Sequence, residues 1–304
     1  MQGSNNMASV AIVIVNWNSY SFTCKCLKSI KTLEYPSYKV IVVDNGSDDG
    51  SGEKLKLEFS NVIFLQNDEN QGFTGGNNTG IQYALDHSYD YVMLLNNDTI
   101  ITPNFLSPLV KRMEGEDWAA IQPKIMYNYD RGIIWNAGGV FRASISKPIT
   151  RGEGVVDNGQ FNNITTTEWI TGCCFLIKSD QVRSIGLLDE RFFIYYEDLD
   201  WSLKLRRKGL KLGFEPKSVI YHEAGRSDIN RDKYGEGNVS PFSHYQNVRN
   251  HLFIVRRYAS GFNAIGSWCY QAFKLLGYIT YFLLRGRFKK VQYTVRGAFH
   301  GLIQ

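Results

Sequence analysis

The sequence predicts an α/β protein with a Rossmann-like, mainly parallel central sheet flanked by helices, and three observations carry that prediction. Short apolar runs recur at residues 10–15, 40–43 and 91–95, the first two rich in β-branched residues, the pattern of strands buried on both faces. Helical stretches separate them, one through Cys26, Leu27 and Ile30 and another over about residues 77–85. Parallel strands need long crossovers, and helices between strands supply them. At 304 residues, 43% hydrophobic and 21% charged, the chain can form one large domain and an appendage.

Taken in order, each strand run ends in polar residues. Asn16-Trp17-Asn18 follows the first, Asp44-Asn45-Gly46-Ser47 the second and Asn96-Asn97-Asp98 the third. Ligands of open α/β sheets collect beyond the carboxyl ends of the strands, so these segments should converge on one edge. Beyond Asp98 come a Pro103-led helix and a looser region containing Gln122-Pro123-Lys124 and Gly138-Gly139. A polar loop or hairpin is expected over 151–167, a strand over 168–178 and a short helix over 179–185. An acidic segment, Tyr195-Tyr196-Glu197-Asp198-Leu199-Asp200-Trp201, then opens an amphipathic helix that runs to Gly209, and strands follow near 212–214 and 219–222.

The net charge of +5 is unevenly placed. After Glu236 there are nine Lys and Arg and no Asp or Glu, which leaves 25 bases against 29 acids in the body. A mildly acidic body predicts no nucleic-acid partner. The tail is also aromatic and aliphatic, and such a stretch suits an anionic membrane surface. Residues 264–284 reach the length of a membrane span but contain Gln271 and Lys274, so an in-plane amphipathic anchor is expected rather than a crossing. The alternative for this tail is helix packing or a homodimer contact. Five cysteines without paired metal-ligand spacing, and an N-terminus lacking a basic-then-apolar leader, point to reduced thiols in a cytoplasmic protein at the membrane's inner face. The domains expected are a catalytic body over 8–240 and a basic, apolar helical region over 241–304.

Four sets of residues suggest chemistry. The crowded carboxylates Glu197 and Asp198 suit a general base of raised pKa, or simply the acids of a helix N-terminus. Asp44, at a strand end, suits hydrogen bonding to a nucleotide base or ribose, or is only part of a turn. In Gly72-Phe73-Thr74-Gly75-Gly76-Asn77-Asn78, bare N–H groups at a helix start would face a diphosphate, although Asn77 and Asn78 also suit caps. Asp98, with His222 in Tyr221-His222-Glu223, suits a divalent cation bridging phosphate oxygens, although a lone histidine equally suits a structural place.

These motifs, in this order and together with Thr171-Gly172, Trp135-Asn136-Ala137-Gly138-Gly139, His244-Tyr245 and Arg249-Asn250, resemble family 2 glycosyltransferases over about residues 10–257. The rhamnosyltransferase-like subgroup is the nearest in pattern. The resemblance implies a GT-A fold, a nucleotide-diphosphate sugar donor such as a UDP- or dTDP-sugar, a divalent Mg²⁺ or Mn²⁺ ion, and inversion at the anomeric carbon. It implies a donor site of Asn16, Asp44, Gly72, Phe73, Asn77, Asn97 and Asp98, and a metal site of Asp98 and His222. Asp198 would be the catalytic base with Glu197 beside it, and Trp169, Thr171 and Gly172 would shape the acceptor side. Asn96 stands where many relatives carry the first metal-binding Asp, and an amide oxygen is the weaker ligand. The acceptor implied is a glycan or a lipid-linked glycan of cell-surface polysaccharide synthesis. A glycoside hydrolase using the paired carboxylates, or a non-catalytic membrane-bound nucleotide-binding protein, is the alternative.

Overall fold

The computed structural model describes residues 7–224 and 239–304; most of the N-terminal stretch read for a leader lies outside them. The elements begin β1 (Val10–Asn16), α1 (Tyr20–Ile30), β2 (Tyr38–Asn45), α2 (Ser51–Glu58), β3 (Ile63–Asn67), α3 (Gly72–Asp86), β4 (Tyr91–Leu95), β5 (Thr99–Ile101) and α4 (Leu106–Gly115). They continue with β6 (Trp118–Tyr127), β7 (Ile134–Asn136), β8 (Gly139–Arg142), β9 (Lys147–Thr150), β10 (Thr166–Thr167), β11 (Cys174–Lys178), α5 (Ser179–Ile185), α6 (Glu197–Arg207) and β12 (Lys211–His222). Three helices close the chain, α7 (Pro241–Tyr258), α8 (Gly261–Leu284) and α9 (Phe288–Ile303).

The main sheet runs β10-β12-β6-β11-β4-β1-β2-β3. The half built from β3, β2, β1 and β4 is parallel, whereas β11 lies antiparallel between β4 and β6. Alternation along the parallel strands separates two cores. Ile12, Ile14, Val42 and Met93 face Leu27 and Ile30 of α1 with Leu106 and Leu109 of α4; Val13, Ile41, Val43 and Leu94 face Ile81 and Ala84 of α3 with Trp201 and Leu205 of α6. Helix α3 lies hard against β1, since a Cβ on Gly80 would sit 2.3 Å from Val13 Cγ1 and one on Gly76 2.8 Å from Val15 Cγ1.

The three apolar runs are β1, β2 and β4, and the short helix over 179–185 is α5. Elsewhere the structure corrects the sequence reading. Gln122-Pro123-Lys124 belongs to a buried ten-residue strand, β6, and not to a looser region. Pro123 has no N–H for the ladder, and at that point β12 bulges, its register jumping from Glu215 opposite Pro123 to Val219 opposite Lys124. The runs near 212–214 and 219–222 are thus one interrupted strand. The strand expected over 168–178 begins only at Cys174, and β3, a half-buried strand of Ile-Phe-Leu-Gln-Asn, is an addition. Helix α3 starts at Gly72, five residues before the expected 77.

No helix among the described residues is long and apolar enough to cross a membrane. All five cysteines are free. Helix α7 is bonded to the sheet-bearing body as well as to the helices after it: Arg257 pairs with Asp189 and Asp200, Tyr258 donates to Asp200, and His244 bonds Thr294 of α9. The buried Asp200 therefore anchors α7, beyond complementing the N-terminus of α6.

Candidate active site

The ends of β1, β2 and β4 meet through one hydrogen-bonded chain. Asn97 Nδ2 donates to Thr23 Oγ1 at 2.9 Å, Thr23 Oγ1 donates to Asn16 Oδ1 at 2.7 Å, and Asn16 Nδ2 donates to Asp44 Oδ1 at 2.7 Å. Asp44 also accepts from the Ser47 hydroxyl and N–H and from Gln66 Nε2. Burial raises its carboxyl pKa, but these donors outweigh burial and hold it below the usual carboxylate range. Asp44 is thus an ionised, almost inaccessible hub that fixes the loop after β2. Thr23 and Gln66 were not foreseen, because nothing in sequence marks a helix threonine or a mid-strand glutamine as the link between two strand ends.

The glycine loop after β3 is not an open crib of N–H groups, which corrects the sequence reading. Gly72 N donates to Asn70 Oδ1, Thr74 N to the Phe193 carbonyl and Gly75 N to the Gln71 carbonyl. Asn77 and Asn78 lie inside α3 and cap nothing. Asn77 Nδ2 holds the Phe73 carbonyl, and the Asn78 amide bonds the backbone N–H and C=O of Leu188. Gly72 has φ +72°, and a Cβ there would meet the Phe193 carbonyl at 2.5 Å, so the glycine is required by the approach of a second segment.

That segment is a strained strap, residues 193–196, leading into α6. Phe193, Tyr195 and Tyr196 have φ of 62°, 72° and 72°, left-handed values that cost a side-chain-bearing residue roughly 1–2 kcal/mol each. Helix α7 holds the strap. Asn250 Nδ2 approaches three carbonyls, Phe192 at 2.9 Å, Ile194 at 2.9 Å and Tyr195 at 2.8 Å, and Arg249 Nη2 donates to the carbonyls of Arg191 and Phe192.

The strap delivers Glu197 and Asp198 to the first turn of α6. Asp198 Oδ2 accepts from Gly172 N at 2.8 Å and Oδ1 from Leu199 N at 2.7 Å. Burial raises the Asp198 carboxyl pKa, against the lowering by those two N–H groups. Glu197 is buried with Oε2 unpartnered, and burial together with the Asp198 charge holds its carboxyl well above the usual range. Neither acid caps α6, whose N-cap is Tyr196. Gly172 joins both halves of the site, because a Cβ there would lie 3.0 Å from the Phe73 ring and 3.6 Å from Asp198 Cβ. Thr171 is buried, with its N–H on Gln122 and its hydroxyl bonded by Cys173 N. Trp169 packs among Phe192, Leu199, Leu203 and Phe253, its Nε1 buried without a partner.

Pairing of β5 with β12 sets Thr99 opposite His222 and brings His222 Nε2 to 3.1 Å from Asp98 Oδ1. The Asn96 amide lies 3.5 Å from the same nitrogen, and the Trp135 ring packs edge-on against His222. An adjacent carboxylate oxygen and imidazole nitrogen fit a divalent ion that takes its other ligands from diphosphate oxygens and water. Among the described residues no group of three or more His, Cys, Asp or Glu could hold a metal ion, so the protein itself offers no complete cage.

With this geometry in hand, the glycosyl transferase family 2 model matches residues 11–178. Similar proteins include the low-salt glycan biosynthesis hexosyltransferase Agl10 of Haloferax volcanii, 27% identical over 210 residues, which are 67% of this chain and 64% of that protein. The dTDP-rhamnosyl transferase RfbF of Shigella flexneri is 23% identical over 250 residues, 82% of this chain and 81% of its own. The match to Agl10 thus spans a little under two thirds of that relative. Among solved structures, the mannosyltransferase PcManGT of Pyrobaculum calidifontis, in complex with GDP-Man and Mn²⁺, aligns over 98% of this chain and 88% of its own with a TM-score of 0.59 and 13% identity. GalNAc-T7 with UDP, GalNAc and Mn²⁺ aligns over 72% of this chain and 44% of its own with a TM-score of 0.58 and 19% identity. At those identities the likeness concerns the fold, which is GT-A. Strand-end hub, strap-borne carboxylates and a family match across more than half its length place the chain in glycosyl transferase family 2.

Proposed function

We propose that this glycosyltransferase moves a sugar from a nucleotide-diphosphate donor to a hydroxyl of a glycan or lipid-linked acceptor, with inversion, in polysaccharide synthesis. The observation that carries the reading is Asp198: a half-buried carboxylate of raised pKa, fixed by two backbone N–H groups beside the loop that bears Phe73. Asp198 takes the proton of the acceptor hydroxyl while that oxygen forms its bond to the anomeric carbon. The bond from that carbon to the diphosphate oxygen breaks, and the leaving group keeps the electron pair. One displacement inverts the centre and needs one base. The buried Glu197 touches no acceptor in this scheme; burial and then the Asp198 charge hold the Glu197 carboxyl above the usual range, and burial is what raises Asp198 itself.

Asp98 and His222 would hold a Mg²⁺ or Mn²⁺ ion, which supplies electrostatic stabilisation to the leaving diphosphate. Asn16, Asn97 and Asp44 hold the strand-end loops that border the nucleotide. The names of RfbF and Agl10 support a dTDP-rhamnosyl or other hexosyl donor. The tail lies on the cytoplasmic face of an anionic membrane, with Phe262, Phe273, Leu284 and Phe288 exposed on helices that carry basic residues and no acid. Asp198→Asn should retain donor binding and lose transfer by about 10²–10⁴-fold, the usual worth of a positioned base. Undiminished turnover in that variant removes Asp198 from the mechanism, and retention of anomeric configuration, read by NMR of the product, rules out the single displacement.

A further inference from the structure

One peptide unit separates the base from the loop that carries Asp98. Asp198 Oδ2 accepts from Gly172 N at 2.8 Å, and the carbonyl of the next residue, Cys173, accepts from Asn96 N at 2.9 Å. After burial, the charges of Asp98 and Asp198 both help push up the pKa of the Cys173 thiol. In the transferase reading the anomeric carbon lies between the diphosphate at Asp98 and His222 and the acceptor oxygen at Asp198, so the sugar ring occupies this short gap. A run of contacts through β7 and β6 connects its two ends. Trp135 stands edge-on to His222, the ring centroids 4.4 Å apart, and packs against the core cluster that contains Cys173, Ile125 and Ile220. Polar side chains beside it are tied to one another. Gln122 Nε2 donates to Asn136 Oδ1 at 2.8 Å, the same oxygen accepts from Gly138 N at 2.7 Å, and Gln122 Oε1 accepts from Thr171 N at 3.2 Å. Gln122, Asn136 and Thr171 are buried, whereas Trp135 is only partly so.

From this arrangement we infer that Trp135 is the platform for the donor sugar, its indole lying against a C–H face of the pyranose ring beside the diphosphate end of the donor. The inference rests on the transferase reading and adds to it the residue that recognises the sugar rather than the nucleotide. Indole offers a large, rigid apolar surface at small cost in side-chain freedom. A hydroxyl turned toward the ring face would lose its water without gaining a partner, so the sugar face toward Trp135 is one that carries hydrogens. Trp135 therefore selects on the configuration of the sugar. Asn136 and Gln122 fix the β7 segment that carries the indole, and Gln122 ties it to Thr171, next to the glycine that holds Asp198.

Calorimetry on the full chain with Mn²⁺ tests this by comparing dTDP with dTDP-rhamnose and UDP with UDP-glucose. In the pair that the wild type binds, Trp135→Ala should weaken the nucleotide sugar by about fivefold, the worth of one aromatic contact, and leave the bare nucleotide within about twofold. Trp135→Phe should keep most of the affinity. Tryptophan fluorescence is the second measurement: the nucleotide sugar should change the emission beyond the change given by the bare nucleotide, and Trp135→Phe should lose that difference. If Trp135→Ala does not fold, the fluorescence result decides alone. A ring that only fills the core would weaken nucleotide and nucleotide sugar alike. Such equal losses, an unchanged nucleotide sugar in Trp135→Ala, nucleotide binding that neither nucleotide sugar shares, or a sugar-dependent emission change that survives in Trp135→Phe overturns the inference. A wild type that binds neither dTDP nor UDP overturns the donor reading itself, an outcome distinct from all of these.

Discussion

Removing the side-chain amide of Asn250 should disable the enzyme without unfolding it. Asn250 is fully buried, and its two amide protons are shared among the carbonyls of Phe192, Ile194 and Tyr195. In Asn250→Ala the Phe192 carbonyl keeps Arg249, whereas those of Ile194 and Tyr195 lose their side-chain donor. A buried acceptor left unsatisfied costs about 1–3 kcal/mol, so the loss is roughly 2–6 kcal/mol. The three left-handed residues of the strap store about 3–6 kcal/mol, at 1–2 kcal/mol each. The two terms are of the same size, so without Asn250 the strap relaxes toward ordinary backbone angles and Asp198, two residues beyond Tyr196, moves with it. A displacement of about 1 Å in a reacting group costs on the order of 10²-fold in rate. Steady-state kinetics should therefore show kcat down about 10²-fold in Asn250→Ala, with donor affinity nearly unchanged and faster amide exchange over residues 194–199. Asn250→Asp should be at least as damaging, since it turns carboxylate oxygens toward carbonyl oxygens. A folded Asn250→Ala protein with kcat within threefold of the wild type refutes the reasoning.

Other outcomes follow from the same structure. Asp98→Ala should abolish the gain in nucleoside diphosphate affinity that Mg²⁺ or Mn²⁺ gives; equal affinities with and without metal in both proteins would remove Asp98 from the metal site. Glu197→Gln should raise the melting temperature at neutral pH and not near pH 4. The folded-state pKa of Glu197 lies above its ordinary 4.5, so the folded state binds more protons there and the residue costs stability as pH rises from that value. A variant no more stable at pH 7 than the wild type contradicts this. Burial, with the nearby Lys274 and Lys147, lowers His251 to about 3, and burial, with Lys290 and Lys274, lowers His244 to about 4. Their depressed values mean that the unfolded chain binds the extra protons, so stability is fully present above pH 6.5 and is lost as pH falls toward 4. Acid titration of the helical signal should show that loss, reduced in His251→Gln; a flat profile from pH 7 to 4 would contradict it.

Strand ends were legible because burial on two faces forces unbroken β-branched runs, and polar residues at the end of such a run have only the sheet edge to occupy. The three runs and the basic, acid-free tail were therefore readable from neighbouring residues alone. Breaks in the pattern were misleading: Pro123 suggested a loop where a bulge in β12 lets a strand pass, and the glycines of α3 suggested a phosphate crib where they admit β1 and Phe193. Asp44 was visible as a strand-end acid, but its role as a saturated hub depends on Asn16 and Gln66, which lie 28 and 22 residues away.

What the sequence by itself determined is the set of local choices: which runs form strands, where polar groups must end them, and where charge accumulates. Only the tertiary structure decided which of the crowded acids is held by two backbone N–H groups and which is buried with an unpartnered oxygen. That choice depends on Gly172 and Asn250, 26 and more than 50 residues from the groups they hold, and on burial that no local pattern records. Propensity and periodicity act between neighbours in the chain, whereas a pKa and a strained backbone are set by whatever folding brings alongside them.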